Sequence, residues 1–150
     1  MTRRVLLLTL ATAVALWLLP PVQAAGRRTQ VAFVPKLIGI PYFNAMEKGG
    51  KQAAADLNVE FVYTGPTTAD SAAQIQIVDN LITRGVPAIA VAPNDPTAIA
   101  PTLKKGKDRG LKMFTSDTDA PNSVREVFVN QALAEDIGNT SMDEIGRAHV

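Results

Sequence analysis

No cysteine occurs in this 150-residue chain, which excludes disulfide frameworks, zinc ribbons, thiol nucleophiles and a lipid-modified N-terminal cysteine. Histidine occurs once, as His149, so a Ser-His-Asp triad or a histidine metal site would have to rest on the second-last residue. Aromatic residues make up only 5% and charged residues 19% of the chain. Lys plus Arg number 15 against 14 Asp plus Glu, and two of the positives, Arg3 and Arg4, lie at the very start, leaving 13 against 14. Such a near-neutral body lacks the clustered positive surface that releases counterions from a phosphate backbone, so no nucleic-acid partner is expected. The signatures of common enzymes are missing too: there is no G-x-S-x-G elbow, no G-x-x-x-x-G-K-[ST] phosphate loop, no G-x-G-x-x-G after the first strand and no H-E-x-x-H. No repeat, heptad run or low-complexity linker interrupts the chain.

What is present begins with a targeting pattern. Met1–Arg4 is short and cationic, Val5–Leu19 is apolar, and Pro20-Pro21 followed by Val22-Gln23-Ala24-Ala25 breaks any helix before a small-residue end. The apolar run is shorter than the roughly 20 residues that span a bilayer, so residues 1–24 are expected to be a secretory signal peptide cut after Ala24 or Ala25. Arg3-Arg4 is a feature shared with twin-arginine signals, but the strongly apolar run favours the general secretory route. The only tryptophan, Trp17, falls inside this segment. At the other end, Glu144-Ile145-Gly146-Arg147-Ala148-His149-Val150 is what a widely used sequencing-adapter sequence yields when translated in one frame. Residues 144–150 are therefore expected to be foreign to the gene, a natural helix end being the alternative, and His149 is assigned no role.

Between the ends, short apolar, β-branched runs recur at Val31–Val34, Val59–Tyr63, Ala88–Ala92, Lys112–Thr115 and Val127–Val129. They read as strands buried on both faces. Helical patterns lie between them. Phe43, Met46, Gly50, Ala53, Ala54 and Leu57 form one apolar stripe, in which Gly49-Gly50 costs on the order of 1 kcal/mol per glycine unless a strand approaches closely. A second helix begins at Asp70-Ser71, where Ser71 and Gln74 have capping-box spacing; it turns Ala72, Ile75, Val78, Leu81 and Ile82 inward and stops at Gly85. A third has Asp95 as N-cap, Pro96 in its first turn, Ile99 and Leu103 as buried positions, and Gly110 beyond its end. A fourth runs from about Gln131 to Asp143 with Leu133, Ile137 and Met142 on one side. Strand and helix in this rhythm imply an α/β fold, a doubly wound parallel sheet.

Ligands of open parallel sheets gather beyond the carboxyl ends of the strands. Those positions hold Lys36 and the Tyr42-Phe43 pair after the first strand, Asn94-Asp95 after the third, Ser116-Asp117-Thr118-Asp119 after the fourth and Asn130-Gln131 after the fifth. One cation, carboxylates, amides, hydroxyls and aromatics suit a polyhydroxylated ligand. Each residue has a plainer reading beside the functional one. Lys36 could be a solubilising charge, Phe43 could belong to the core, and Asp95 reads first as a helix cap, with ligand contact by neighbouring Asn94 second. Asp117 and Asp119 read as turn formers or hydrogen-bond acceptors rather than metal ligands, so no metal or cofactor is expected. Asn139-Thr140-Ser141 matches a glycosylation sequon but sits in a helical stretch and is discounted.

Val31-Ala32-Phe33-Val34-Pro35-Lys36-Leu37-Ile38-Gly39, Tyr63-Thr64-Gly65-Pro66-Thr67, Gln74–Ile82, Ser116-Asp117-Thr118-Asp119 and Val129-Asn130-Gln131 together resemble the periplasmic sugar-binding proteins of ABC importers. The similarity extends to the subgroup that includes autoinducer-2- and rhamnose-binding proteins and covers about residues 29–143. It implies two α/β lobes joined by a hinge that close on one sugar-like ligand, with Lys36 and Asp117 on ligand hydroxyls and Phe43 near the ring; Asn94, Asp119 and Gln131 complete the candidate set. It further implies a monomeric, periplasmic, non-enzymatic subunit that docks on a membrane ABC permease. On this layout residues 25–129 are the N-terminal lobe and 130–143 the hinge crossing and first helix of a second lobe absent from this sequence. Ser116 stands where the subgroup often has an aromatic, which removes a stacking surface. The alternatives are a secreted carbohydrate-active α/β enzyme using Asp117 and Asp119, which lie too close in sequence for the spacing glycosidases need, and a ligand-presenting partner of a chemoreceptor.

Overall fold

The structure, a computed structural model, describes residues 28–148. The signal-peptide reading of residues 1–24 and His149 lie outside the described residues. Five strands form one sheet: β1 (Gln30–Val34), β2 (Glu60–Tyr63), β3 (Ala88–Val91), β4 (Lys112–Ser116) and β5 (Val127–Val129). Their order is β2-β1-β3-β4-β5 and every pairing is parallel. Four helices connect or follow them: α1 (Pro41–Asp56), α2 (Ser71–Thr83), α3 (Ala100–Asp108) and α4 (Ala134–Ala148).

Strand side chains alternate between two cores, as the pleat requires. Ala32, Val34, Ile89, Val91 and Met113 point into the larger core, where Val78, Leu81 and Ile82 of α2 and Leu103 of α3 cover them together with Ile99 just before α3. Phe33 points the other way into a smaller core with Phe43 of α1, Ala92, Phe61 and Tyr63. Helices thus lie on both faces, and the doubly wound class read from the sequence holds.

Several local readings need correction. Residue Gln74 does not complete a capping box. Asp70 is the N-cap of α2, its Oδ1 accepting from the Ala72 and Ala73 N–H groups at 2.8 and 3.1 Å, while Gln74 is buried at 1% exposure. Asp95 accepts from Thr97 N and Ala98 N, so it caps a turn that precedes α3; α3 itself starts at Ala100 with Pro101 in its first turn. Ala53, Ala72 and Leu57 are exposed rather than inward, and Leu57, 72% exposed, is the C-cap of α1. Asn58 beyond it takes φ +53°, the left-handed turn that commonly ends a helix. Helix α4 starts three residues later than expected and continues through Glu144–Ala148.

Candidate functional site

In a sheet of this order the crevice opens where the chain leaves β1 in one direction and β3 in the other. Gln74 builds the floor of that crevice. Its Nε2 donates to the carbonyls of Pro35 at 2.9 Å and Ala92 at 2.8 Å, and its Oε1 accepts from Asn94 N at 2.9 Å. Asn94 Nδ2 then donates to Lys36 O at 2.8 Å. One buried amide and one half-buried amide therefore tie the segments following β1 and β3 together. Burial without these bonds would leave two carbonyls and an N–H unpaired, at a cost of about 1–3 kcal/mol each.

On this floor Lys36 Nζ meets Asp117 Oδ2 at 2.9 Å, and the Tyr42 hydroxyl donates to Asp117 Oδ1 at 3.1 Å. Both carboxylate oxygens are engaged, one by a cation and one by a phenol. Asp117 holds this position with φ +63°, a left-handed conformation uncommon outside glycine, asparagine and aspartate, and its N–H donates to Val129 O at 3.3 Å. Strand β5 thus aims the aspartate that follows β4. Gln131 Nε2 donates to Ser116 Oγ at 3.2 Å, adding an amide beside it. Tyr42, Asp117, Asn130 and Gln131 line a cavity of about 480 Å³ with Ile137 of α4 on its far wall. Partial burial, reinforced by the hydrogen bond to Asp117, pushes the Tyr42 phenol above its ordinary value, so it stays a neutral donor near pH 7.

The expected residues divide. Lys36, Asp117 and Gln131 lie at one edge, and Asn94 supports Lys36 through its backbone. Phe43 is 2% exposed and belongs to the core, packed 6.5 Å from the Phe33 ring. Its neighbour Tyr42, 46% exposed and edge-on to Phe43 at 5.0 Å, is the aromatic that reaches the cavity. Asp119 turns away to Arg125: Nη2 donates to Oδ2 at 2.6 Å and Nε to Oδ1, while Thr115 Oγ1 and Ala120 N also donate to Oδ1. The Arg125 hydrogen bonds lead the effects that hold its carboxyl at about 2, against an ordinary 3.8. Asp117 and Asp119 are therefore each neutralised by a separate cation and do not face one another as an acid–base pair. The sequence places the Tyr42-Phe43 pair at this edge but selects Phe43 where the structure selects Tyr42, a choice decided by one residue of helical phase; nothing local marks Gln74.

Lys36, Asp117, Gln131 and Tyr42 offer charged and neutral donors, a carboxylate acceptor and an aromatic face, which matches the needs of hydroxyl groups on a compact ring. Residues 31–149 match the periplasmic binding protein domain family. The D-ribose/D-allose-binding protein of Pseudomonas aeruginosa is 33% identical over 124 residues, covering 77% of this chain and 38% of that protein. Among solved structures, a solute-binding protein of Clostridium phytofermentas with bound L-rhamnose superposes with a TM-score of 0.73 at 33% identity, covering 79% of this chain and 37% of the other. LsrB from Clostridium saccharobutylicum in complex with AI-2 gives a TM-score of 0.72 at 29% identity, covering 76% and 35%. The chain therefore spans well under half the length of each of these relatives.

Proposed function

The chain belongs to the periplasmic binding protein domain family, and from that premise we propose that it is the N-terminal lobe of the substrate-binding component of an ABC-type sugar importer. Its ligand is a monosaccharide or an autoinducer-2-like molecule held against Lys36, Tyr42, Asp117 and Gln131. The observation that carries this reading is the Lys36–Asp117–Tyr42 cluster at the strand-order switch. A neutral polyol can enter such a cluster without importing charge, because the cation and the carboxylate already balance. The matched relatives are named for D-ribose, D-allose, L-rhamnose and AI-2, which supports the ligand class and not one sugar within it. Two of them are also named as binding proteins, which supports a role without chemistry at the family level.

On this reading residues 1–24 direct export to the periplasm, 25–129 form the lobe, and 130–143 are the hinge crossing and the first helix toward a second lobe. The exposed apolar side chains of Leu133, Ile137 and Met142 on that stretch suit a surface meant for covering. The closed two-lobed protein, a monomer, then docks on a membrane permease. The test is a titration of the isotopically labelled chain with L-rhamnose, D-ribose and AI-2, following amide and side-chain resonances. Shifts at Lys36, Tyr42, Asp117 and Gln131 that vanish in Asp117→Asn are the expected result; Asn tolerates the left-handed backbone, so the fold is kept. Shifts absent from these residues with all three ligands would overturn the proposal.

A further inference from the structure

Because all five strands are parallel, the residues preceding them share the edge opposite the sugar site. Arg28 precedes β1, Arg84 precedes β3 and Arg109 precedes β4, and these three strands are neighbours in the sheet. We propose that Arg28 and Arg84, with Arg109 beside them, form a site for the phosphate group of a small polar molecule.

The charge pattern of the molecule singles this edge out. Among the described residues Lys36, Lys51, Lys104, Lys105, Lys112, Arg125 and Arg147 each pair with a carboxylate. The cations without such a partner are Arg28, Lys48, Arg84, Lys107 and Arg109, and of these only Lys48 lies away from this edge. Residues 1–27 contain no Asp or Glu that could supply a partner. Arg84 and Arg109 are the C-caps of α2 and α3, where the helix dipole favours a cation. That accounts for one charge at each helix end, but not for Arg28, which a strand brings to the same place. Arg28 and Arg84 line one cavity of about 440 Å³ together with Thr29, Gln30, Gly85 and Pro87. Arg109 reaches the adjoining end of α2, its Nη1 lying 3.5 Å from Ile82 O.

Two guanidiniums lining one cavity place like charges on its walls, which an anion between them would balance, and their planar forks match the oxygens of a phosphate. Thr29 and Gln30 add polar residues to the cavity wall, and its volume exceeds that of a bare oxyanion. A phosphate carried on a polar body such as glycerol fits both features. Gly85, which also lines the cavity, takes φ +71° in the left-handed turn that follows α2.

The test follows the arginine Nε–H resonances of the full chain during titration with inorganic phosphate, glycerol 3-phosphate and dihexanoyl phosphatidylglycerol below its micelle concentration. Sodium chloride at matched ionic strength is the reference. Selective shifts of Arg28 and Arg84 by the phosphates are expected, with binding roughly fivefold weaker in Arg84→Gln and in Arg28→Gln and only partly restored by Arg84→Lys, which keeps the charge but loses the planar fork. Tighter binding of glycerol 3-phosphate identifies a soluble ester, and tighter binding of the lipid identifies a headgroup; either supports the site. Equal shifts with chloride, or none at Arg28 and Arg84 while the amide spectrum remains that of the folded chain, would overturn it. This outcome is independent of whether a sugar binds at the opposite edge.

Discussion

Gln74 joins Pro35, Ala92 and Asn94 from a fully buried position on α2. Gln74→Leu keeps the volume but strands two carbonyls and one N–H, so a loss of about 3 kcal/mol or more in urea unfolding is expected, together with displaced Lys36 and Asn94 resonances. Little change in stability would mean that water replaces the amide. Asp119 has the opposite character, a partly exposed carboxylate held at about 2 by Arg125 and its loop. Its folded value lies below its unfolded one, so its contribution is complete above about pH 4 and is lost as pH falls toward 2. Melting temperatures of the wild type and Asp119→Asn are therefore expected to differ at pH 6 and to converge on acidification through that window. The candidate site was partly legible: Lys36, Asp117 and Gln131 follow strand ends, where ligands of open parallel sheets gather. Tyr42 and Phe43 could not be told apart by type, because one residue of helical phase decides which ring is buried.

At the scale of elements, the two adjacent glycines of α1 separate by what surrounds them. A Cβ on Gly50 would run into the Phe61 ring of β2, whereas one on Gly49 meets nothing within 4 Å. Gly49→Ala is expected to stabilise the chain by about 0.5–1 kcal/mol through helix propensity alone. Gly50→Ala gains the same term but overpacks the α1–β2 contact by about 1–3 kcal/mol, so its net effect is destabilising. Thermal unfolding of the pair decides this, and equal shifts would mean that Phe61 moves freely aside. The sequence anticipated a close strand for both glycines; the helix turns only one of them inward. Strands were legible almost to the residue because each is a short β-branched run. Helix starts were not, because Asp70 and Ser71 are both good caps and only backbone geometry selects between them.

At the scale of the molecule, the proposed reading gives the described residues one wall of a ligand site, formed by Lys36, Tyr42, Asp117 and Gln131. A micromolar site requires about 8 kcal/mol and a millimolar one about 4. Lys36, Asp117 and Gln131 supply about 0.5–3 kcal/mol each, in contact with water on the open side. Calorimetry on the 150-residue chain is expected to find sugar affinities no tighter than millimolar; micromolar binding would mean that this lobe alone carries the site.

The sequence by itself determined the class of the fold, the alternation of strand and helix and the strand ends at which polar side chains collect, since these follow from local periodicity and from residues that start or stop elements. Only the tertiary structure decided the order β2-β1-β3-β4-β5, the burial of Gln74, the division of Asp117 from Asp119 and the gathering of Arg28, Arg84 and Arg109. Each of these depends on contacts between residues far apart in the chain, and a packing geometry that local propensity does not encode selects among many locally equivalent arrangements.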